Sequence, residues 1–211
     1  MLAPAPAVSA AALAQALRAR FDSLALRAPQ AAADEAMQAQ RYAAAWRALR
    51  RWCDEPLPPG SRMAVASVCA AEDGGTDKQA LRAWANAFAR QQDGSLQLQA
   101  LPGAASRLAL RLQVKGQDML GALGWRARQP QDVWDAGWAG SSASALRQWP
   151  LFQPRRATLV LAQADEAELL QLPMALLRQR SDAFGHPMRW LWVGQSAPTL
   201  PPGQGPVLRL D

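Results

Sequence analysis

The sequence reads ATLVLA at residues 157–162 and MRWLWV at residues 188–193, and these two apolar runs decide the fold. Each is short and apolar, which predicts a strand buried in a sheet. The segment between them predicts a helix with Asp165 as its N-cap, Glu168 at the third position and a kink or division at Pro173. Strand, helix and strand then form a β–α–β unit, whose crossover is right-handed when both strands are parallel in one sheet.

Further strands and one helix are predicted around this unit. Residues 63–70 (MAVASVCA) form an apolar run with β-branched residues, which indicates another buried strand. A Gly-containing loop follows it, and Leu81, Trp84 and Phe88 then recur on one face of a helix that starts at Lys78. The remaining strand predictions are an antiparallel hairpin at 95–101 and 107–115 and an edge strand at 206–210.

The amino-terminal part of the chain has a different pattern. Apolar side chains recur at helical spacing between residues 13 and 24 and again from Tyr42 to Cys53, which predicts two helices packed as an antiparallel hairpin. The Pro-rich stretch at 54–61 cannot continue a helix and marks a seam. We therefore predict a helical hairpin segment at residues 1–58 and a body at residues 59–211. The predicted fold class is α/β or α+β, with a mixed β-sheet and flanking helices.

Few side chains in this sequence are suited to catalysis. The 211 residues include one histidine, His186, and two cysteines, whereas acid–base, nucleophilic and zinc chemistry depend on His, Cys or convergent carboxylates. Tryptophan, which contributes strongly to contact energies at interfaces, occurs nine times. We therefore expect a protein that is not an enzyme and that binds neither a cofactor nor a metal.

The formal net charge of +6 comes almost entirely from arginine. A chain rich in arginine, alanine, glycine and proline reflects a GC-rich genome as much as a function, so the charge alone does not establish nucleic-acid binding. No stretch resembles a secretory signal or a membrane-spanning helix, and Cys53 and Cys69 form no disulfide framework. The expected location is cytoplasmic.

The region 125–156 interleaves tryptophans with arginines and has no dominant period. Three interpretations of its rings remain open: core positions, a surface for a protein partner, or a stacking platform for single-stranded nucleic acid. The predicted strand at 107–115 adds a basic face that we expect to be exposed. The residues expected to bind a partner are Arg107, Arg111, Trp125, Arg126, Trp134, Trp138 and Trp149.

Acidic residues follow two of the predicted buried strands. Glu72 and Asp73 lie in the loop after residues 63–70, and Asp165 follows the later strand. Gathered at one sheet edge, these carboxylates could hold Mg²⁺ in a divergent nucleotide-binding enzyme, although the glycine motifs of phosphate-binding loops are missing. Solvated turns and helix caps explain them equally well, and His186 is interpreted as a turn residue without a catalytic role.

The leading hypothesis is a non-catalytic cytoplasmic accessory or adaptor subunit that binds other proteins of a larger assembly through Trp/Arg-rich surfaces. The first alternative is a protein that binds single-stranded DNA or RNA with the same region and the basic strand face. The second alternative is the divergent nucleotide-binding enzyme, which requires the carboxylates to meet at the carboxyl ends of the strands.

Overall fold

Six strands and four helices make up the part of the chain that the structure describes. The computed structural model describes residues 26–30, 40–57, 59–70, 78–93, 134–196, 198 and 206–210. The strands are β1 (Leu26–Arg27), β2 (Met63–Ala70), β3 (Asp135–Ala139), β4 (Thr158–Gln163), β5 (Met188–Gly194) and β6 (Val207–Leu210). The helices are α1 (Ala43–Asp54), α2 (Lys78–Gln92), α3 (Ala143–Gln148) and α4 (Ala167–Gln179). Single 3-10 turns occupy Trp149–Leu151, Ala164–Glu166 and Ser181–Ala183.

The strands form one mixed sheet in the order β1-β3-β4-β5-β2-β6. Five of them run parallel, and β1 alone runs antiparallel, beside β3. The fold is therefore mixed α/β, within the predicted class. The predicted β–α–β unit is confirmed, because β4 and β5 are parallel neighbours in the sheet and α4 connects them along the chain.

Helices cover both faces of this sheet. Along β5, the side chains of Leu191 and Val193 pack in a layer with α1 and α2, whereas Trp190 and Trp192 pack in a second layer with α4. β2 and β4 divide their side chains between the same two layers. Parallel strands that are covered on both faces read as continuous apolar runs, which explains the lack of alternation in the sequence of β4 and β5.

Several predicted elements are confirmed with close boundaries. β2 occupies residues 63–70, α2 begins at Lys78, and β6 lies at an edge of the sheet. The predicted helical face of α2 is buried, with Leu81, Trp84 and Phe88 each at most 1% exposed. The predicted hairpin at 95–115 lies outside the described residues and stays a prediction.

The start of α4 differs from the prediction. A 3-10 turn at Ala164–Glu166 precedes the helix, and Glu166 occupies the N-cap position without a side-chain hydrogen bond to the backbone. The prediction that Asp165 is the N-cap is therefore wrong, because its carboxylate binds Lys78 instead. Pro173 lies inside the helix and is buried without dividing it.

The predicted amino-terminal helical hairpin is not supported. Its second helix is present as α1, but residues 1–25 lie outside the described part of the chain, and residues 26 and 27 form the edge strand β1. Leu49 and Trp52 of α1 are buried against side chains of the strands, so α1 packs on one face of the sheet. The boundary proposed at residue 58 stays a prediction.

A glycine allows β1 to approach its neighbour. A Cβ atom built on Gly137 of β3 would lie 2.7 Å from the carbonyl oxygen of Arg27 and 2.5 Å from Cδ2 of Leu26. The first contact is with backbone, which cannot move aside as a flexible side chain can. The antiparallel edge strand therefore depends on the missing side chain at this position.

One buried arginine joins α1 to the middle of the sheet. Arg189 of β5 is 3% exposed, and its guanidinium lies 5.0 Å from the ring centre of Trp52. The same guanidinium donates a hydrogen bond to the carbonyl of Glu55, immediately after α1. A stacked and hydrogen-bonded arginine of this kind contributes packing as well as charge.

We expect Arg189→Ala to lower the free energy of unfolding by roughly 2 kcal/mol, since it removes both the stacking and the hydrogen bond. Urea unfolding followed by circular dichroism measures the change. The matched control is Arg50→Ala, which alters an exposed arginine on α1 and should cost less than about 0.5 kcal/mol. Equal effects of the two substitutions would show that Arg189 does not join α1 to the sheet.

Candidate functional site

The three described tryptophans of the predicted contact surface are buried. Trp134, Trp138 and Trp149 expose 1%, 6% and 0% of their surface. The indole N–H of Trp138 donates to Oδ1 of Asn86 at 2.7 Å, and that of Trp149 donates to the carbonyl of Gly140 at 3.1 Å. The expectation that these three rings stand on the surface is therefore wrong.

These rings are buried because helices cover both faces of the sheet. Trp134 and Trp138 are four positions apart, so they point to the same side of the sheet and pack in the layer of α1 and α2. Trp149 packs in the opposite layer, with its ring centre 5.3 Å from those of Phe152 and Trp190. The small residues between the tryptophans belong to β3, whose five residues are all buried.

None of the three arginines expected to bind a partner is among the described residues. Arg107, Arg111 and Arg126 lie outside the described residues, as does Trp125, so their contacts stay a prediction. The described pair Arg155 and Arg156 precedes β4 and meets Asp135 at the start of β3. Nε of Arg155 lies 2.6 Å from Oδ2 of Asp135, and Nε of Arg156 lies 3.5 Å from Oδ1.

The carboxyl ends of the parallel strands carry an ion pair. The Nζ atom of Lys78, at the start of α2, lies 2.5 Å from Oδ2 of Asp165, just after β4. Close by in the sequence, Glu166 accepts a hydrogen bond from the hydroxyl of Ser141 at 3.1 Å. Parallel pairing therefore brings together side chains that follow β2, β3 and β4, as expected for this edge of an α/β sheet.

The electrostatics of this edge do not favour a cation. The hydrogen bond from Lys78 lowers the pKa of Asp165, and the positive charge of Arg82 acts in the same direction. The carboxylate of Asp165, which was expected to bind Mg²⁺ together with Glu72 and Asp73, is thus paired with the ammonium group of Lys78. Glu72 and Asp73 lie outside the described residues. Within the described ranges, no group of three or more metal-ligating side chains is found.

His186 lies just before β5 begins, at the amino ends of the parallel strands. This is the opposite end of the strands from Lys78 and Asp165. Burial of its ring lowers the pKa of His186, and the charges of Arg156 and Arg62 lower it further, against the smaller opposing effect of Asp135. This lowering of the pKa favours the neutral form of the histidine. It is at the other end of the strands from Lys78 and Asp165, so the structure does not bring these groups into one site.

An exposed apolar stripe runs along α4, on a helix whose other side is already buried. The buried side consists of Leu170, Pro173, Met174 and Leu177. On the outer side, Leu169, Leu172 and Leu176 expose 53%, 68% and 36% of their surface. Spacings of three and then four residues place these three leucines on one side of the helix.

A fourth leucine lies near the carboxyl end of α4. Leu151 is 77% exposed, and the guanidinium of Arg180 donates to the carbonyls of Pro150 and Phe152 on either side of it. We name Leu151, Leu169, Leu172 and Leu176 the leucine face. Among the described residues, Val207 on the edge strand β6 is the one other large hydrophobic side chain that is exposed.

The leucine face was missed in the sequence, although a signal was present. The segment AELLQLPMALLRQ was interpreted only as a crossover helix. Its leucines at 169, 170, 172, 176 and 177 occupy more of the helix than one buried face requires. A second apolar face on a surface helix indicates a contact site or an aggregation hazard.

The pKa of His186 gives stability a defined pH dependence. The folded chain holds this pKa below the value of about 6.5 found in unfolded chains, so the unfolded state binds more protons in the interval between the two values. Stability should therefore fall as the pH drops below about 6.5, and this loss is absent above it. We expect His186→Asn to reduce the loss, as measured by urea unfolding at about pH 8 and about pH 5. An unchanged difference between the two pH values would contradict this role of His186.

No family model, curated protein or solved structure matches this chain in the three comparisons that we made. No helix in the described residues is long and apolar enough to cross a membrane. The function must therefore be argued from the described geometry alone.

Proposed function

We propose that the protein is a non-catalytic accessory subunit that binds another protein molecule through the leucine face. The exposure of Leu169, Leu172 and Leu176 on a helix that is firmly packed on its other side carries this proposal. The exposed parts of the four leucines amount to a little over two whole side chains, so covering them is worth roughly 4–7 kcal/mol at about 1.5–3 kcal/mol for each fully buried leucine. That gain is sufficient to matter in binding, once a partner adds polar contacts around the leucines.

The contact surface differs from the Trp/Arg surface that the sequence suggested. The tryptophans that are described contribute to the core, so they stabilise the scaffold that presents α4. Leucine on an exposed helix binds by the same burial of apolar area that we had attributed to the indole rings. The proposal therefore keeps the expected kind of function and moves its site to another element.

Two features support a non-catalytic role. Lys78 and Asp165 neutralise each other at the edge where α/β enzymes hold their ligands. His186 lies at the other end of the strands, where the charges of Arg156 and Arg62 act on it. General acid–base chemistry requires such groups to converge on one reacting atom.

The nucleic-acid alternative has less support. Stacking of bases requires exposed rings, and Trp134, Trp138 and Trp149 are buried. The charges of Arg155 and Arg156 are directed at Asp135. We therefore propose protein binding alone.

Substitutions at two leucines of α4 distinguish a residue that is available for binding from one that stabilises the fold. Leu172→Glu changes an exposed residue of the leucine face and should alter the free energy of unfolding by less than about 0.5 kcal/mol. Leu170→Ala removes a fully buried side chain and should cost about 2–5 kcal/mol. Urea unfolding of both variants checks this pair. A large loss for Leu172→Glu would mean that Leu172 serves the fold and is not available for binding.

Site-specific photocrosslinking in the native host tests the proposed binding. A photoreactive amino acid at position 172 should give a covalent protein adduct, because the leucine face is covered by a partner. The same group at Gln171, an exposed position on a different side of α4, should give little or none. Introducing Leu169→Glu into the first variant should abolish the adduct. No adduct at 172, or equal adducts at 171 and 172, would overturn the proposed function.

A further inference from the structure

We propose that the amino ends of β4, β5 and β2 form a binding site for a small ligand with a doubly charged oxyanion group, such as phosphate or sulfate, held by Arg62, Arg156 and His186. These three strands are neighbours in the sheet, and the three side chains belong to the segments just before them. The site uses no residue of the leucine face, so it adds a second ligand to the proposed function.

Backbone hydrogen bonds hold the three segments side by side. The amide of Met188, the first residue of β5, donates to the carbonyl of Arg62 at 2.8 Å, and the amide of Thr158, the first residue of β4, donates to the carbonyl of Pro187 at 2.9 Å. His186 directly precedes Pro187. It therefore lies about 4.8 Å, one strand spacing, from the segment on either side.

Positive charge exceeds negative charge at this end of the strands. Among the described residues, the charges that act on His186 are those of Arg156 and Arg62 and, with the opposite sign, that of Asp135. Both carboxylate oxygens of Asp135 accept hydrogen bonds from Arg155, at 2.6 and 3.3 Å, whereas Nε of Arg156 lies 3.5 Å away. The single charge of Asp135 offsets that of one arginine. The excess of two positive charges favours a ligand group with two negative charges.

Two members of the cluster are available for a ligand. Arg62 is exposed and His186 is half-buried, and neither side chain forms a hydrogen bond or an ion pair with another residue of the described ranges. A guanidinium group presents paired N–H donors that match the oxygens of a phosphate group. A protonated imidazole ring adds donors at both of its nitrogen atoms.

Binding of the anion should be coupled to protonation of His186. The charged groups around its ring come from three segments: Arg62 before β2, Arg156 before β4, and Asp135 at the start of β3. Burial and the two arginine charges lower the pKa of His186, whereas a bound dianion cancels those charges and raises it. The anion should therefore bind more tightly as the pH falls through the interval between the two pKa values, because binding there takes up a proton.

NMR of the imidazole ring tests the site directly, because the chain contains one histidine and its ring signals need no assignment. The pKa of His186 should be higher in about 50 mM sodium sulfate than in sodium chloride of the same ionic strength. Sulfate is the probe because its own charge stays constant between about pH 5 and about pH 8. An unchanged pKa, or an equal change in acetate of the same ionic strength, would overturn the proposal.

Arg62→Gln removes one ligand of the anion, and Arg82→Gln is its matched control. Arg82 is exposed, and its charge acts on Asp165 at the other end of the strands. Arg62→Gln should raise the dissociation constant of sulfate by about fivefold or more, whereas Arg82→Gln should leave it within about twofold of the wild type. Arg62→Gln should also raise the pKa of His186 in chloride, since one of the charges that lower it is gone. Equal effects of the two variants on sulfate binding would show that overall charge alone attracts the anion.

The proton coupling is tested with His186→Asn, using backbone amide shifts to follow the titration with sulfate. From about pH 8 to about pH 5, the affinity of the wild-type chain should increase by about threefold or more, whereas that of the variant should change by less than about 1.5-fold. Equal pH dependence in the two chains would show that His186 does not hold the anion.

The charge of the ligand is tested with two phosphate esters. At about pH 8, phenyl phosphate carries two negative charges because its second pKa is about 6, whereas dimethyl phosphate carries one. Phenyl phosphate should therefore bind at least about fivefold more tightly. Equal binding of the two esters would overturn the assignment of a doubly charged ligand.

Discussion

Burial of the parallel strands on both faces is the constraint on which the rest of the structure depends. β4 and β5 lie between two helical layers, so nearly every side chain that they carry must be apolar. Five parallel strands also need connections that cross from one end of the sheet to the other, and helices fulfil that need. The large rings of β3 and β5 fill the space between sheet and helices, where smaller side chains would leave cavities.

This constraint also explains where the polar chemistry lies. With both faces covered, charged side chains collect at the two ends of the strands. Lys78 meets Asp165 at one end, whereas Asp135, Arg155 and Arg156 meet at the other. Because α4 buries its other side, its outer leucines remain partly exposed, and that exposure is the basis of the proposed function.

Much of the fold could be predicted because β2, β4, β5 and α2 have clear apolar patterns. β3 could not, since DAGWA combines an acid, small residues and one ring without a strand-like pattern. The same lack of pattern made Trp134, Trp138 and Trp149 look available for binding. β1 is too short to produce any pattern, and it depends on the close approach at Gly137.

The candidate site was less predictable than the fold. The contact of Lys78 with Asp165 joins residues 87 apart in the sequence, and only the strand order brings them together. By contrast, the leucine face lies within one helix and could have been found by asking how many faces of α4 are apolar.

Hydrogen exchange followed residue by residue by NMR tests the two-sided burial most directly. Burial on both faces predicts that the amide protons of β4 and β5 and the indole protons of Trp138 and Trp149 exchange only as fast as the whole chain unfolds. Exchange of those two indole protons at the rate of a freely exposed tryptophan would contradict it. In that case the rings would lie at the surface after all, and α4 would lose its supporting core.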